Sequence, residues 1–376
     1  AARTIVRPSA TRVIVSVPIV RPRSYATPRS RKIQSESRPA AGYNGMGVPS
    51  TLEIRSFFRL AAHVQMLPIL ESGEETLVGG QAVMEGVMMR APHSYCVAVR
   101  KPNGEVITQQ HPLPKLSEKY PIFKLPIFRG LGTLGQAMSL GVRALHFSAN
   151  AALDEGQSGK AKQEITGWAM GLNILFSASF FIFLYKFVPL WLATKIGAAY
   201  HAVGGRVAIN LVDGLIRIVI FLAFLTLISK MKDIRRVFEY HGAEHKVVFN
   251  FESGQPVTVE NARGFTTFHP RCGTSFLLVL MVISLLIYAL VPVDGFLLKL
   301  ATRIALIPII VGVSYELIRF AAKRRGGLMA ALTSPGLWLQ RITTKPPSDD
   351  QTAIAIRALD GAMELEKQQG GELVIA

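Results

Sequence analysis

Four long apolar stretches dominate the second half of the chain. Each contains roughly 17–21 consecutive, mostly apolar residues, the length at which a helix crosses the hydrocarbon core of a bilayer. Stretch 275–291 has no charged residue, whereas each of the others contains between one and three. The stretches are 172–192, 209–229, 275–291 and 301–320. The pattern predicts a mainly α fold, an integral membrane helical bundle of about four spans; the alternative is a pair of buried helical hairpins in a soluble protein.

The charges between the stretches predict an orientation. Connection 230–274 holds seven lysines and arginines, whereas connections 193–208 and 292–300 hold two and one. Basic residues accumulate in cytoplasmic loops, or on the equivalent side of an organelle membrane. We therefore expect the long connection and both termini on that side, and the basic run 323–325 after the fourth stretch agrees with this.

The segment before the first span has the turn residues of small strands. Residues 96–100 and 105–107 flank Asn103-Gly104, a pair that supplies the positive φ of a tight hairpin turn. Residues 126–147 have a helical period with polar interruptions, which predicts an amphipathic helix at the membrane surface. A turn-and-cap signal near the other end predicts a helix over 350–367. These elements predict a small α+β soluble face.

The changes in composition divide the chain into six predicted parts. A leader and a soluble segment precede the first pair of spans, a polar connection separates the two pairs, and a soluble tail follows the second pair. They are a disordered leader or transit peptide (1–76), a soluble strand-hairpin and amphipathic helix region (77–165), the first two spans (166–230), a His/Glu/Cys-bearing loop domain (231–274), the last two spans (275–322) and a soluble C-terminal tail with a helix (323–376).

Composition and charge agree with a membrane protein that has a targeting leader. Charged residues make up 18% of the 376, against roughly 25% in soluble domains. The net charge is +17, but residues 1–40 alone hold nine basic residues and one acid, so the charge does not predict a nucleic-acid-binding face. A basic, hydroxyl-rich, acid-poor leader is typical of a transit peptide, here for a chloroplast membrane, with the mitochondrial inner membrane or a plain basic tail as alternatives.

The sharpest chemical pattern is His241-Gly-Ala-Glu244-His245 in the long connection. On a helix, residues four apart share a face, so both imidazoles can reach one metal ion. This is the H-x-x-E-H order of the inverted zincins, in which two histidines bind zinc and the glutamate is the general base. Glu244 is therefore the candidate catalytic residue.

Two further soft ligands lie near the end of the same connection. His269 and Cys272 precede the third span, and a helical hairpin of the second and third spans would bring them beside His241 and His245. These four side chains form a plausible ligand set for a divalent metal, zinc in particular. Four protein ligands would make a closed structural site and three plus water a catalytic one, while each histidine could instead be a hydrogen-bonded interfacial group.

Other ionisable residues stand in apolar surroundings. Glu85 lies among valines and methionines, where it could join the site or form a buried pair with Arg90 that fixes a strand bend. Asp213 lies four residues from Arg217 within the second span, which predicts an ion pair inside one helix. Glu316 stands near the inner end of the fourth span. Ionisable groups within spans are functional candidates by default.

Five runs in order carry a resemblance to a known family. The chain resembles the YqhQ-like family, membrane proteins of bacteria and plastids whose function is unsettled and which are often assigned as metal-dependent enzymes. The resemblance covers about residues 77–360 and includes all five candidate metal-site residues unchanged. The leader has no counterpart in the bacterial pattern, which supports an organelle-imported version. The runs are 79–90 (GGQAVMEGVMMR), 240–246 (YHGAEHK), 269–276 (HPRCGTSF), 314–316 (SYE) and 339–347 (LQRITTKPP).

Two classes of function follow from these patterns. In the first, the protein is a metal-dependent hydrolase at the membrane surface, with Glu244 as its base. In the second, it is a non-catalytic scaffold or regulator of other membrane proteins or of protein translocation, with a structural metal or none. A transporter built on Asp213, Arg217 and Glu316 is a third interpretation, and it requires the two carboxylates to face each other across a cavity. The expected partners are the lipid bilayer and other membrane proteins, and no nucleic acid.

Overall fold

The computed structural model of the protein describes residues 78–114, 119–153, 167–201, 204–269, 272–323 and 327–368. The predicted leader, 1–76, lies outside the described residues. Within them the fold class is confirmed: the chain is mainly helical, with membrane-length helices and one small antiparallel sheet. The exact boundaries of the six predicted parts stay predictions.

The sheet is an antiparallel meander near the start of the described chain. Its strands pair in sequence order, and the hairpin predicted around Asn103-Gly104 joins the third strand to the fourth. Gly104 has a φ of 87°, the positive value that the turn requires. The strands are β1 (Gly79–Val83), β2 (Gly86–Arg90), β3 (Ser94–Arg100) and β4 (Val106–Pro112).

Eleven α-helices are described after the sheet, together with one 3₁₀ turn and one π-helical turn. The helix predicted over 350–367 is confirmed as the last of them, Asp349–Gln368, and that over 126–147 as the first. The helices are α1 (Phe128–Leu153), α2 (Gly167–Ile182), α3 (Val188–Ala199), α4 (Arg206–Ile228), α5 (Lys232–Glu252), α6 (Val259–Arg263), α7 (Gly273–Leu290), α8 (Phe296–Ala305), α9 (Ile307–Lys323), α10 (Gly327–Thr343) and α11 (Asp349–Gln368).

Three helical segments of the described chain are long and apolar enough to cross a membrane. They are Gly171–Ala199, which joins α2 to α3 through the π-helical turn Phe183–Phe187, then α4, and then α7. The pair Phe296–Ala305 and Ile307–Phe320 passes the same test as a fourth, bent by 48°. The fourth stretch predicted over 301–320 corresponds to this pair, which begins earlier, at Phe296, and is interrupted after Ala305. Pro308 has no N–H to donate to the carbonyl of Ile304, so the helix breaks there.

The sheet is covered on both faces, which explains why β2 and β3 are buried along nearly their whole length. On one face, Val87 and Cys96 pack against Tyr240 of α5 and Leu359 of α11. On the other face, the buried side chains of α1, such as Leu140, complete a second core cluster. The C-terminal helix therefore packs into the core that the sheet begins. The predicted position of α1 at the membrane surface stays a prediction.

Candidate functional site

Helix α5 carries the H-x-x-E-H pattern on a regular helix. His241 and His245 lie one turn apart, with 4.4 Å between their ring centroids, as the four-residue spacing predicts. Glu244 and His245 are buried, with 6% and 2% of their surface exposed. The helix begins with Asp233 in its first turn, which favours a helix N-terminus, and it ends before Gly254, whose φ is 69°.

Both imidazoles of α5 are oriented by backbone carbonyls. Nδ1 of His241 lies 2.8 Å from the carbonyl oxygen of Thr343, and Nδ1 of His245 lies 2.5 Å from that of Thr267. A carbonyl oxygen can only accept, so each Nδ1 carries the proton and donates it. In this tautomer Nε2 carries the lone pair of the ring, which in His241 faces the thiol of Cys272. This is the tautomer that a metal-ligating histidine needs.

Cys272 completes a group of three ligand atoms. It is the residue just before α7, and its Sγ lies 3.2 Å from Nε2 of His241 and 3.2 Å from Oγ1 of Thr274. One ligand atom from each of His241, His245 and Cys272 lies within 4.8 Å of the other two. We expected the two ends of connection 230–274 to lie close together, and this is confirmed for these three residues.

The two cysteines have different environments. Cys96 is fully buried within the sheet core, and loss of solvent contact raises the pKa of its thiol to about 12. Cys272 is only partly buried and contacts an imidazole. Both thiols are free. Because Cys96 is buried and stays protonated, Cys272 is the cysteine of the two that could bind a metal or act as a nucleophile.

Glu244 stands at the edge of the group. Its carboxylate oxygen lies 3.9 Å from Nε2 of His241. On its other side β1 approaches so closely that a Cβ added at Gly80 would lie 2.8 Å from Cγ of Glu244. The glycine thus leaves room for the carboxylate beside the imidazole.

His269 lies next to the group of three but outside it. Its ring is 5.5 Å from that of His245, and its Nε2 lies 3.6 Å from a carboxylate oxygen of Glu252. The pKa of His269 is lowered to about 4, mainly by burial. The charge of Glu244 raises this pKa and that of His241 lowers it, but both effects are smaller than that of burial. The imidazole is therefore neutral at pH 7. The four-ligand set of the sequence becomes three ligands and one neighbouring histidine.

The end of α10 and the segment after it contribute groups that the sequence patterns did not predict. Gln340 holds the backbone of His269 in both directions, accepting from its N–H and donating to its carbonyl at 2.7 Å each. Thr343 offers its carbonyl to His241. Lys345 donates its N–H to the carbonyl of Phe238 on α5 at 2.9 Å. In the sequence, the indication that this segment matters was its place among the five runs that carry the family resemblance, as run 339–347.

Glu85 has a different partner from the predicted one. It lies in the turn between β1 and β2 with a φ of 53°, and both its oxygens bind Arg236 of α5. Tyr240 donates its hydroxyl to the same carboxylate at 3.3 Å. The prediction of a Glu85–Arg90 pair is therefore wrong. The antiparallel hairpin directs the side chain of Arg90 towards α1, where it donates a hydrogen bond to Gln136 at 3.5 Å.

This pair affects the charge states around it. Hydrogen bonding to Glu85 raises the pKa of Arg236 above its usual value. Burial raises the pKa of Tyr240 to about 12, and the charge of Glu85 adds to that effect. Tyr240 thus stays a protonated donor directly before His241. Glu85 fixes the N-terminal half of α5 against the sheet, one turn from the group of three.

The intramembrane carboxylates do not face each other. Asp213 forms the predicted ion pair with Arg217 and also accepts from Arg303 of α8 at 2.6 Å. Glu316 binds Arg129 of α1 and accepts from the N–H of Ile127 at 3.3 Å. Each carboxylate is neutralised by its own arginine partners. The geometry that a transporter would require is therefore not met.

Comparison with known proteins gives a family but no activity. A profile described as "Protein of unknown function (DUF1385)" matches residues 125–365. A relative described as "Uncharacterized protein YqhQ", from Bacillus subtilis (strain 168), is 35% identical over 302 residues, which cover 77% of this chain and 92% of the relative. No solved structure matches the chain.

Proposed function

The chain belongs to the family of proteins of unknown function DUF1385, and from its own site we propose that it is a membrane protein that binds a divalent metal, zinc, for hydrolysis at the membrane surface. His241, His245 and Cys272 would hold the metal, and Glu244 would act as the base. One observation carries the proposal. In both histidines Nδ1 donates a hydrogen bond to a backbone carbonyl, so that Nε2 can bind a metal next to the thiol of Cys272.

The donor set fits zinc by its chemistry. Imidazole nitrogen and thiolate sulfur are the ligands that zinc prefers, and two histidines with one cysteine form a three-ligand set. In a tetrahedral zinc site, neighbouring ligand atoms lie about 3.3–3.6 Å apart, given Zn–N and Zn–S bonds of about 2.0–2.3 Å. The three atoms here lie within 4.8 Å of one another, so binding requires them to approach by at most about 1.5 Å.

The number of ligands supports a catalytic site. Three protein ligands leave one of four tetrahedral positions for water or substrate. When bound, zinc supplies Lewis acidity that polarises a substrate oxygen and favours deprotonation of water. Glu244, 3.9 Å from Nε2 of His241, would take up the proton of the attacking water and return it to the leaving group. His269 would remain a neutral neighbour that helps to keep the site dry.

A structural metal in a non-catalytic scaffold is the second candidate. The three ligands and their carbonyl partners come from α5, the connection that precedes α7 and the end of α10, so a metal would join the soluble face to the spans. His245 is nearly fully buried, as in closed structural sites. In this case Glu244 would only complete the charge balance of the site.

The metal is tested by elemental analysis of the full chain purified in detergent without added chelator. We expect about one zinc per chain in the wild type and in His146→Ala, whose histidine lies on α1 and contacts Asn150 instead. His241→Ala should lose most of the metal, because it removes one of three ligands. Equal metal content in wild type and His241→Ala would refute metal binding at this residue.

Catalysis is tested with Glu244→Gln, which keeps the shape of the side chain and removes the base. Hydrolysis of p-nitrophenyl acetate and p-nitrophenyl phosphate is measured for wild type, Glu244→Gln and the zinc-depleted protein. For an enzyme, Glu244→Gln keeps its zinc and loses activity by roughly 100-fold or more, the usual contribution of a general base. For a scaffold, activity is absent throughout, and zinc removal instead lowers the unfolding temperature.

A further inference from the structure

A second cluster of charged side chains lies inside the bundle, far from the His/Cys group. It gathers around Tyr288 near the end of α7, sixteen residues from Cys272 along the helix, or about 24 Å at 1.5 Å per residue. The ring of Tyr288 has three cations within 5.2–5.4 Å of its centroid: Lys186, Arg217 and Arg303. The cluster therefore belongs to the opposite end of the bundle.

Among the described residues, two arginines and one lysine gather around a single carboxylate. Asp213 is the carboxylate that contacts it, and both Arg217 and Arg303 bind this one group. Lys186 donates instead to the hydroxyl of Tyr288 at 2.9 Å, and Arg217 also donates to Ser284 at 2.7 Å; both acceptors are neutral. Buried positive charge is costly unless it is paired, so a further anion beside these groups would be stabilised.

The cluster opens into a small cleft, which we name the basic cleft. Its lining includes Arg206 at the start of α4 and Lys299 of α8, in addition to Arg303. Three cationic residues thus line it, whereas Asp294, in the same connection between helices, is exposed and is not among the lining residues. The rest of the wall is neutral: Asn210, Tyr288 and Thr302 can form hydrogen bonds, and Val291 and Val293 are apolar.

One arginine atom beside the basic cleft lacks a partner. Nε of Arg217 is buried and makes no hydrogen bond within the part of the chain that the structure describes, although the residue is only 3% exposed. The π-helical turn Phe183–Phe187 places Lys186 beside the same tyrosine. Turns of this kind inside helices occur often at functional sites. Both observations are independent of the lining residues and agree with a ligand.

We propose that the basic cleft binds a phosphate group, either that of a lipid headgroup or free phosphate. Guanidinium groups match phosphate oxygens in charge and geometry, and basic pockets between membrane helices are known to hold phosphorylated headgroups. The cleft is too small for a nucleotide, so the anion would bind at its open rim, beside Arg206 and Lys299. This proposal does not depend on the metal site, since the two share no residue.

The test is isothermal titration calorimetry on the full chain in a neutral detergent. The probes are inorganic phosphate, dihexanoylphosphatidylglycerol below its micellar concentration, and dihexanoylphosphatidylcholine as a zwitterionic comparison. The test variant is R206Q/K299Q, which removes two charges from the accessible rim. The matched control is K230Q/K232Q, which removes two exposed lysines at the other end of the bundle.

We expect at least one anionic probe to bind the wild type, with Kd raised tenfold or more in R206Q/K299Q, because each lost charge-assisted hydrogen bond changes Kd by about tenfold. Binding of phosphate identifies a free anion, and binding of the anionic lipid alone identifies a headgroup. The control should stay within twofold. If neither anionic probe binds, or if the control weakens binding equally, the proposal is wrong. Lys299→Gln alone serves if the double variant does not fold.

Discussion

Glu366 joins the C-terminal helix to the sheet, and its removal tests the packing of the soluble face. The carboxylate is 2% exposed and accepts three hydrogen bonds: from the N–H of His93 at 3.0 Å, from its Nδ1 at 2.7 Å and from the hydroxyl of Ser94 at 2.8 Å. Glu366→Ala leaves the backbone N–H and Nδ1 of His93 without this acceptor, whereas the hydroxyl of Ser94 can still donate to the carbonyl of Ala362 at 2.8 Å. Hydrogen bonds to a charged group contribute about 1.5–3 kcal/mol each, but water can replace part of them.

We therefore expect Glu366→Ala to lower the free energy of unfolding by about 3 kcal/mol. At about 2.1 cal/mol/K of unfolding entropy per residue, a chain of 376 residues would show a fall of roughly 4 °C in Tm. Glu366→Gln, which keeps one acceptor, should lie between this variant and the wild type. Glu364→Gln is the matched control, because that side chain is exposed on the same helix.

The measurement is differential scanning fluorimetry of the detergent-solubilised full chain, with hydrogen exchange of the α11 amides as a local readout. In Glu366→Ala, exchange should speed up along α11 before the spans are affected. If Glu366→Ala unfolds within about 2 °C of Glu364→Gln, the carboxylate does not hold the helix to the sheet. The three hydrogen bonds would then contribute no net stability.

The same residue gives a pH dependence whose sign is fixed. Burial by itself would raise the pKa of Glu366, but the hydrogen bonds from His93 and Ser94 outweigh it, and the pKa lies below its usual value. A depressed folded-state pKa adds stability above the unfolded value of about 4.3, and that stability is lost as the pH falls through the folded pKa. Glu366→Gln should therefore lose less stability than the wild type when the pH falls below about 4.

Three further predictions concern the site and the leader. Gly80→Ala should lower zinc content and Tm, because its Cβ would meet the carbonyl of Met88 at 2.6 Å and Cγ of Glu244 at 2.8 Å, whereas Gly79→Ala, with no atom within 4 Å, should change neither. In the cobalt-substituted protein, Cys272→Ser should abolish the near-ultraviolet thiolate-to-cobalt band, and its persistence would exclude Cys272 as a ligand. Residues 1–76 fused to a fluorescent protein should direct it to chloroplasts, and a diffuse signal would contradict the transit peptide.

The sequence predicted those features that depend on local pattern. Hydropathy located the spans, and the four-residue spacing of His241 and His245 predicted their shared face on α5. The hairpin with Gly104 followed from turn chemistry that involves only adjacent residues. In each case the physical cause lies within about one element of the chain.

What the sequence did not predict depends on contacts between distant residues. The ring tautomers of the site are set by the carbonyls of Thr343 and Thr267, and every residue has a carbonyl, so no residue type identifies them. Glu85 pairs with Arg236, 151 positions away, although Arg90 was the nearest arginine in sequence. The choice between these partners was made by the pairing of strands with helices.

The joint core of β2, β3, α5 and α11 has a consequence for topology. A folded core cannot be divided by a bilayer, so its parts must emerge on one side, and the number of crossings between any two of them must be even. Two membrane-length segments separate the sheet from α5. Between α5 and α11 lie α7, the bent pair α8–α9 and α10, which at 17 residues is shorter than the membrane-length helices. With α10 on the side of the core, parity requires the bent pair to traverse the membrane completely instead of turning back as a re-entrant loop.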